Sequence, residues 1–170
     1  AGLLRFYQLA SVPVSLYWDE TAIAYNAYSV AQTGKDEYGK VFPVLFRSFD
    51  DYKMPGIVYL SAIPITIFGL GEWSARFVSA FLGTLTVATL FFLSYELSRQ
   101  TKLKHVAGIA RLPYLASLLL AIAPWHIQVS RGGFEANAGL FFVVAGFWAL
   151  FRGFRQPVFF VISALLLSTS

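Results

Sequence analysis

Cysteine is absent from the 170 residues, which excludes a disulfide framework, a thiolate nucleophile and a thiolate metal site. Charge is scarce. Asp, Glu, Lys and Arg make up 13% of the chain, against about 25% in an ordinary soluble domain. Histidine occurs only at His105 and His126. Neither has a histidine partner four residues away, and a lone histidine at a membrane interface reads as structural before it reads as a metal ligand. There is no HExxH pair and no phosphate-binding loop. Gly69-Leu70-Gly71 is a lone glycine pair between apolar segments and reads as a turn. No heptad, tandem repeat or low-complexity tract is visible.

What is present points to lipid. The chain is 57% hydrophobic, with a mean hydropathy of +0.62. Seventeen Phe, nine Tyr and four Trp suit a lipid-exposed surface with aromatic girdles. The net charge of +4 gathers in two short loops, which orients a membrane protein rather than binding nucleic acid. Residue 1 is Ala, Ala1–Leu4 is too short for a signal peptide's apolar region, and the last run, 157–167, stops short of the roughly 20 residues of a span. The chain therefore reads as the N-terminal fragment of a longer polytopic protein.

The apolar pattern sets the expected elements. Residues 1–18 are the tail of a first membrane helix or an interfacial lead-in. Residues 19–33 form an amphipathic helix, with Asp19 or Thr21 as N-cap and Gly34 as the stop. Residues 34–53 are the most polar stretch and read as a solvent-facing loop. Residues 55–69 are apolar, short for a span, and hold Pro64. Spans are expected over 77–95, 112–128 and 138–151, with a tight polar loop at 130–137. The 99–111 loop carries Arg99, Lys102, Lys104 and Arg111. The 152–156 loop carries Arg152 and Arg155. Basic loops face the cytoplasm, so everything before Arg76, together with 130–137, falls on the extracytoplasmic side, and 55–69 must return without crossing. The expected fold is all-α: a polytopic transmembrane helical bundle, with 1–76 carrying interfacial helices in a first external loop and 77–170 carrying the spans.

Within that frame, Tyr17-Trp18-Asp19-Glu20 is the most informative stretch. Charge beside lipid is costly unless solvated, paired or used. An acidic pair at a bilayer surface, followed by a wet loop, is where a membrane enzyme would keep a general base. The plainer reading makes Tyr17 and Trp18 an aromatic-belt anchor and Asp19 a cap. Glu135 likewise reads either as a site residue or as an acid favoured by a helix N-terminus.

The ordered set of motifs resembles the membrane-embedded GT-C glycosyltransferases, nearest the protein O-mannosyltransferase and aminoarabinose-transferase-like group that uses polyprenyl-phosphate sugars. The residues that carry the likeness are Trp18-Asp19-Glu20, Asp51-Tyr52-Lys53-Met54-Pro55, Arg76, Pro124-Trp125-His126 and Ser130-Arg131-Gly132-Gly133-Phe134-Glu135-Ala136-Asn137. The resemblance implies that Asp19, with Glu20 beside it, is the catalytic acceptor base. It implies that Lys53 holds the lipid phosphate, and that Glu135 is a second external acid. The family's metal-linked Glu falls on Tyr52 here, with Asp51 one residue earlier, so a divalent metal is the one cofactor it raises.

The chemistry of such a transfer needs a base for the acceptor proton and cations for the leaving phosphate. Asp19 supplies the first; Lys53, with Arg131 or Arg47, supplies the second. The expected partners are a polyprenyl-phosphate-linked sugar, an acceptor and the bilayer, with no nucleic acid. The expected location is a bacterial or archaeal plasma membrane with the active site outside. A transporter or flippase is the reading from another class. It predicts charge near the bilayer midplane and matched broken helices, whereas 77–95 has no charge inside and the acids sit in loops. A scaffold without chemistry leaves the acid-rich loop without a role.

Overall fold

The computed structural model describes residues 1–100 and 109–169. Lys102, Lys104 and His105, named above, lie outside them. The chain is mostly helical: α1 (Gly2–Phe6), α2 (Trp18–Thr33), α3 (Pro55–Phe68), α4 (Glu72–Gln100), α5 (Leu112–Ile122), α6 (Pro124–Arg131), α7 (Glu135–Gly153) and α8 (Val158–Ser168). The lead-in is irregular from Tyr7 to Tyr17. At 1.5 Å per residue, α4 runs about 43 Å and α7 about 28 Å. These two are long and apolar enough to cross a membrane, or three segments are if α5 and α6 count as one broken span.

Three local outcomes differ from the sequence reading. The 34–53 stretch is not all loop. Phe46–Ser48 (β1) pairs antiparallel with Asp51–Lys53 (β2), in the register Phe46↔Lys53, Arg47↔Tyr52, Ser48↔Asp51. Phe49 and Asp50 between them have φ of 50° and 59°, the left-handed pair that a tight hairpin turn requires. The all-α expectation is thus amended by one hairpin, which sends Phe46 into the core against the Tyr59 ring.

Second, the cap of α2 is Tyr17, not Asp19 or Thr21. Tyr17 is extended, and Glu20, three residues on, accepts its backbone N–H at 2.8 Å. This is half of a capping box, and it leaves Asp19 free to face elsewhere. Gly34 closes the helix as expected, at φ 69°.

Third, the expected span over 112–128 breaks at Ala123, where α5 and α6 meet at 59°. Pro124 has no N–H, and its ring would collide with the carbonyl of Leu120 in a continuous helix. It also pushes Ala123 to an extended conformation. The Arg5 guanidinium takes up the freed carbonyls, donating to Leu120 at 3.4 Å and Ala121 at 3.3 Å. It also donates to His126 Nδ1 at 2.6 Å. Arg5 and His126 are fully buried.

Contacts fix how the long helices run. Asn137 at the start of α7 donates to the Ser79 carbonyl near the start of α4 at 2.7 Å. Gln100 at the end of α4 donates to Phe151 near the end of α7 at 2.7 Å. The two are therefore parallel. The broken pair runs back along α4: Tyr114 meets Phe91 near the end of α4, and Val129 accepts from Ser79 near its start. Gly83 makes this crossing tight, since a Cβ there would lie 2.2 Å from Ser130 Oγ. Small and polar residues are what allow helix backbones to approach in this way.

α3 behaves differently. Met54, just before it, bonds Glu135 at the start of α7. Phe68 at its end packs on Trp73 at the start of α4. Both ends of α3 meet the end where α4 and α7 begin. At 14 residues, about 21 Å, it lies against that entry end with α2 and the hairpin. Ile23, Ala27, Val58, Ile65, Val78 and Leu82 form the shared core.

Candidate active site

The entry end gathers most of the charge that the sequence singled out. Asp19 sits in the first turn of α2 and Lys53 at the end of β2, 34 residues apart. The Lys53 ammonium donates to Asp19 at 2.5 Å and to Asp51 at 2.7 Å. The hairpin register makes this meeting: pairing Phe46 with Lys53 roots the strand in the core, and Trp18 stacks on Phe49 at the hairpin tip. Lys53 is 4% exposed. Burial pulls its pKa down, but the hydrogen bonds and charges of Asp19 and Asp51 outweigh that and hold it above 10.5. The Lys53 hydrogen bond and the Tyr52 N–H hold the Asp51 carboxyl below 3.8.

The signs follow. What Lys53 adds to stability is fully present below pH 10.5 and fades as pH rises through its raised value. What Asp51 adds is fully present above pH 3.8 and fades as pH falls through its lowered one. Around neutral pH both partners of that pair are ionised.

Asp19 and Lys53 line a cavity of about 280 Å³ together with Glu135, Val129 and Phe134. Glu135 opens α7 and accepts the Met54 N–H at 3.0 Å. The same Glu135, with Ala136, also lines a second cavity of about 690 Å³ whose walls include Phe42, Val44, Ile57 and Phe142. A small charged chamber thus adjoins a larger apolar one, and one carboxylate stands between them.

Glu20 is placed otherwise than the catalytic expectation. It is 2% exposed, and its carboxylate is taken by Arg76 Nε at 2.9 Å, Gly133 N–H at 2.9 Å and Tyr17 N–H at 2.8 Å. Asp19 and Glu20 are neighbours on a helix, turned about 100° from each other; one faces the cavity and the other the core. Glu20 is an anchor that ties α2, α4 and the 132–134 turn together. Arg131 is also placed otherwise: it does not line the Asp19 cavity. Its guanidinium donates to the carbonyls of Leu4 at the end of α1 and of Gln8 and Val12 in the lead-in, at 3.0, 3.3 and 2.8 Å. Arg47 pairs across the hairpin turn with Asp50 at 2.8 Å, and both are well exposed. It too stands outside the cavity.

The metal that the family likeness raises finds no matching ligand set. Among the described residues no group of three or more His, Asp or Glu is placed to hold a metal ion. Asp19 and Asp51, the two acids that would serve, both already hold the Lys53 ammonium.

Sequence reasoning missed Arg76 as the partner of Glu20. It stood out only as the charge before a span. Fully buried, it also donates to the carbonyls of Leu9, Pro13 and Ser15 at 3.1, 2.9 and 2.8 Å. An arginine opening a long apolar run, with acids elsewhere on the same side, was the available signal. Comparison with family models, with curated proteins and with solved structures finds no match to this chain.

Proposed function

We propose that this chain is part of a polytopic membrane glycosyltransferase of the GT-C type. It would move a sugar from a polyprenyl-phosphate donor to an acceptor hydroxyl or amine on the extracytoplasmic side, with inversion. The observation that carries the reading is the charged chamber itself: a carboxylate, a buried ammonium and a second carboxylate around one space, opening beside an apolar cavity able to take a prenyl tail. The resemblance in motif order supports it independently.

The chemistry balances with the residues at hand. Asp19 takes the acceptor proton as the acceptor bonds to the anomeric carbon. The bond from that carbon to the phosphate oxygen breaks on the opposite face, and the electron pair leaves with the prenyl phosphate. Lys53 holds the charge that develops there. In the free protein Lys53 spends its charge on Asp19. A bound phosphate competes for that ammonium, which frees the Asp19 carboxylate to face the acceptor when donor is present. Glu20, through Arg76 and Gly133, positions the helix turn that carries Asp19.

Lys53→Ala should weaken donor binding by about tenfold or more, the scale of one charge-assisted hydrogen bond. Lys53→Arg should recover part of it, because a guanidinium carries the charge in a different geometry. Donor affinity is read by titrating the detergent-solubilised enzyme; an unchanged value in Lys53→Ala removes the residue from phosphate binding.

The proposed topology places α4, the broken α5–α6 pair and α7 as crossings, and α3 as an interfacial helix. The absence of cysteine makes labelling direct. Lys40, Gly71 and Gln156 are all exposed, and Gly71 has open space where a side chain would go. Single Cys replacements at 40 and 71 should react with an impermeant maleimide added outside intact cells, while the one at 156 should react only after lysis. Labelling of 71 only after lysis would make α3 a crossing and reverse the arrangement.

A further inference from the structure

At the opposite end, where α4 and α7 finish, a third cavity of about 460 Å³ has no part in the chemistry above. This is within the range of small-ligand sites. Its walls are Phe92, Tyr95, Trp148 and Phe159, with Glu96 and Arg152. Glu96 is 1% exposed, and its Oε1 has no hydrogen-bond partner among the described residues. Arg155 approaches it only to 3.6 Å, near enough for attraction and too far for a hydrogen bond. A buried carboxylate oxygen with an unmet acceptor is costly. Trp148 lies between Phe92 and Phe159, at 6.2 and 5.7 Å. Arg152 rests over the Phe159 ring at 5.5 Å, and Arg155 is half exposed beside Glu96.

This combination asks for two charges on one ligand. Aromatic faces around a carboxylate receive a cation, and an arginine in the wall with a second beside the carboxylate receives a phosphate. We propose that the cavity binds the headgroup of an ethanolamine phospholipid. The primary ammonium donates to Glu96 Oε1 among the rings, and the phosphate lies between Arg152 and Arg155. A choline headgroup satisfies the rings but has no N–H to give Glu96. A glycerol headgroup satisfies the arginines but leaves the carboxylate facing no cation. The lipid source follows from position: the cavity lies at the ends of the two helices long enough to cross a membrane, at the depth where headgroups sit. The inference rests on the membrane placement of α4 and α7 and not on glycosyl transfer.

The test uses the full chain in nanodiscs made with equal parts of ethanolamine, choline and glycerol phospholipids of identical acyl chains. Lipid retained after release is weighed by native mass spectrometry. The ethanolamine lipid should be kept about tenfold over each of the others, the scale of a charged hydrogen bond. Glu96→Gln should bring the ethanolamine and choline lipids level, and Arg152→Ala should lower retention of the ethanolamine and glycerol lipids alike. Equal retention by the wild type, or an undiminished preference in Glu96→Gln, overturns the proposal. If Glu96→Gln does not fold, thermal melting of the wild type decides. Stabilisation by short-chain ethanolamine lipid, and not by its choline analogue, supports the site. Equal stabilisation by both overturns it, and so does equal stabilisation by soluble phosphoethanolamine, which makes the ligand a free metabolite. Asp19→Asn should keep the lipid preference, so failure of the transfer reading leaves this result standing.

Discussion

Asp19→Asn should lower turnover at least about a hundredfold while leaving fold and donor binding near those of the wild type. The amide oxygen can still accept from Lys53, so the contact that holds β2 to α2 persists. What is lost is the ability to take a proton, and positioned base catalysis is typically worth about 10²–10⁴-fold. The loss should fall on turnover with donor KM little changed, the signature of an interaction made in the transition state. Single-turnover measurement with saturating labelled donor separates this from slow release. Turnover within a few-fold of wild type would remove Asp19 from the mechanism. It would leave the Asp19–Lys53–Asp51 cluster a structural clamp.

Arg76→Ala should cost about 3–5 kcal/mol of stability, the usual penalty for removing one partner of a buried ion pair. Nothing else among the described residues pairs with the charge of Glu20, and the carbonyls of Leu9, Pro13 and Ser15 lose their donor at the same stroke. The lead-in and the start of α2 should loosen together. Glu20→Gln with Arg76→Met should cost less than the two single changes summed, because the buried charge goes along with its partner. Thermal melting in detergent, compared across the single and double variants, checks both statements. A loss below about 1 kcal/mol for Arg76→Ala would mean the pair is already solvated. The same variants should slow transfer through displacement of Asp19, although neither residue touches the cavity.

The convergence of Asp19, Lys53 and Glu135 was legible because charge distribution alone put their loops on one side. Their distances were not. The meeting of Lys53 with Asp19 depends on a hairpin register, and three-residue strands leave almost no periodic trace in a polar stretch. The fate of the acidic pair was illegible for another reason. Asp19 and Glu20 are chemically alike and adjacent, so which one turns inward is decided by where Arg76 stands, 56 residues later. Arg131 misled because an arginine beside glycines suits a phosphate equally well. The irregular lead-in that claims it has no sequence signature of its own. Pro124 was visible, but as an exit from a helix. That the helix resumes beyond it depends on Arg5 being present to satisfy what the proline breaks.

That dependence has a direction in time. Chains are made from the N-terminus, so Arg5 exists more than a hundred residues before Leu120 and Ala121 leave the ribosome. A polar gap in an apolar helix is a hazard in lipid when nothing answers it. Here the answering group is laid down first and waits at the end of α4 where that helix begins. The broken helix meets its missing hydrogen-bond donor on arrival, and the order of synthesis itself guards the joint between α5 and α6.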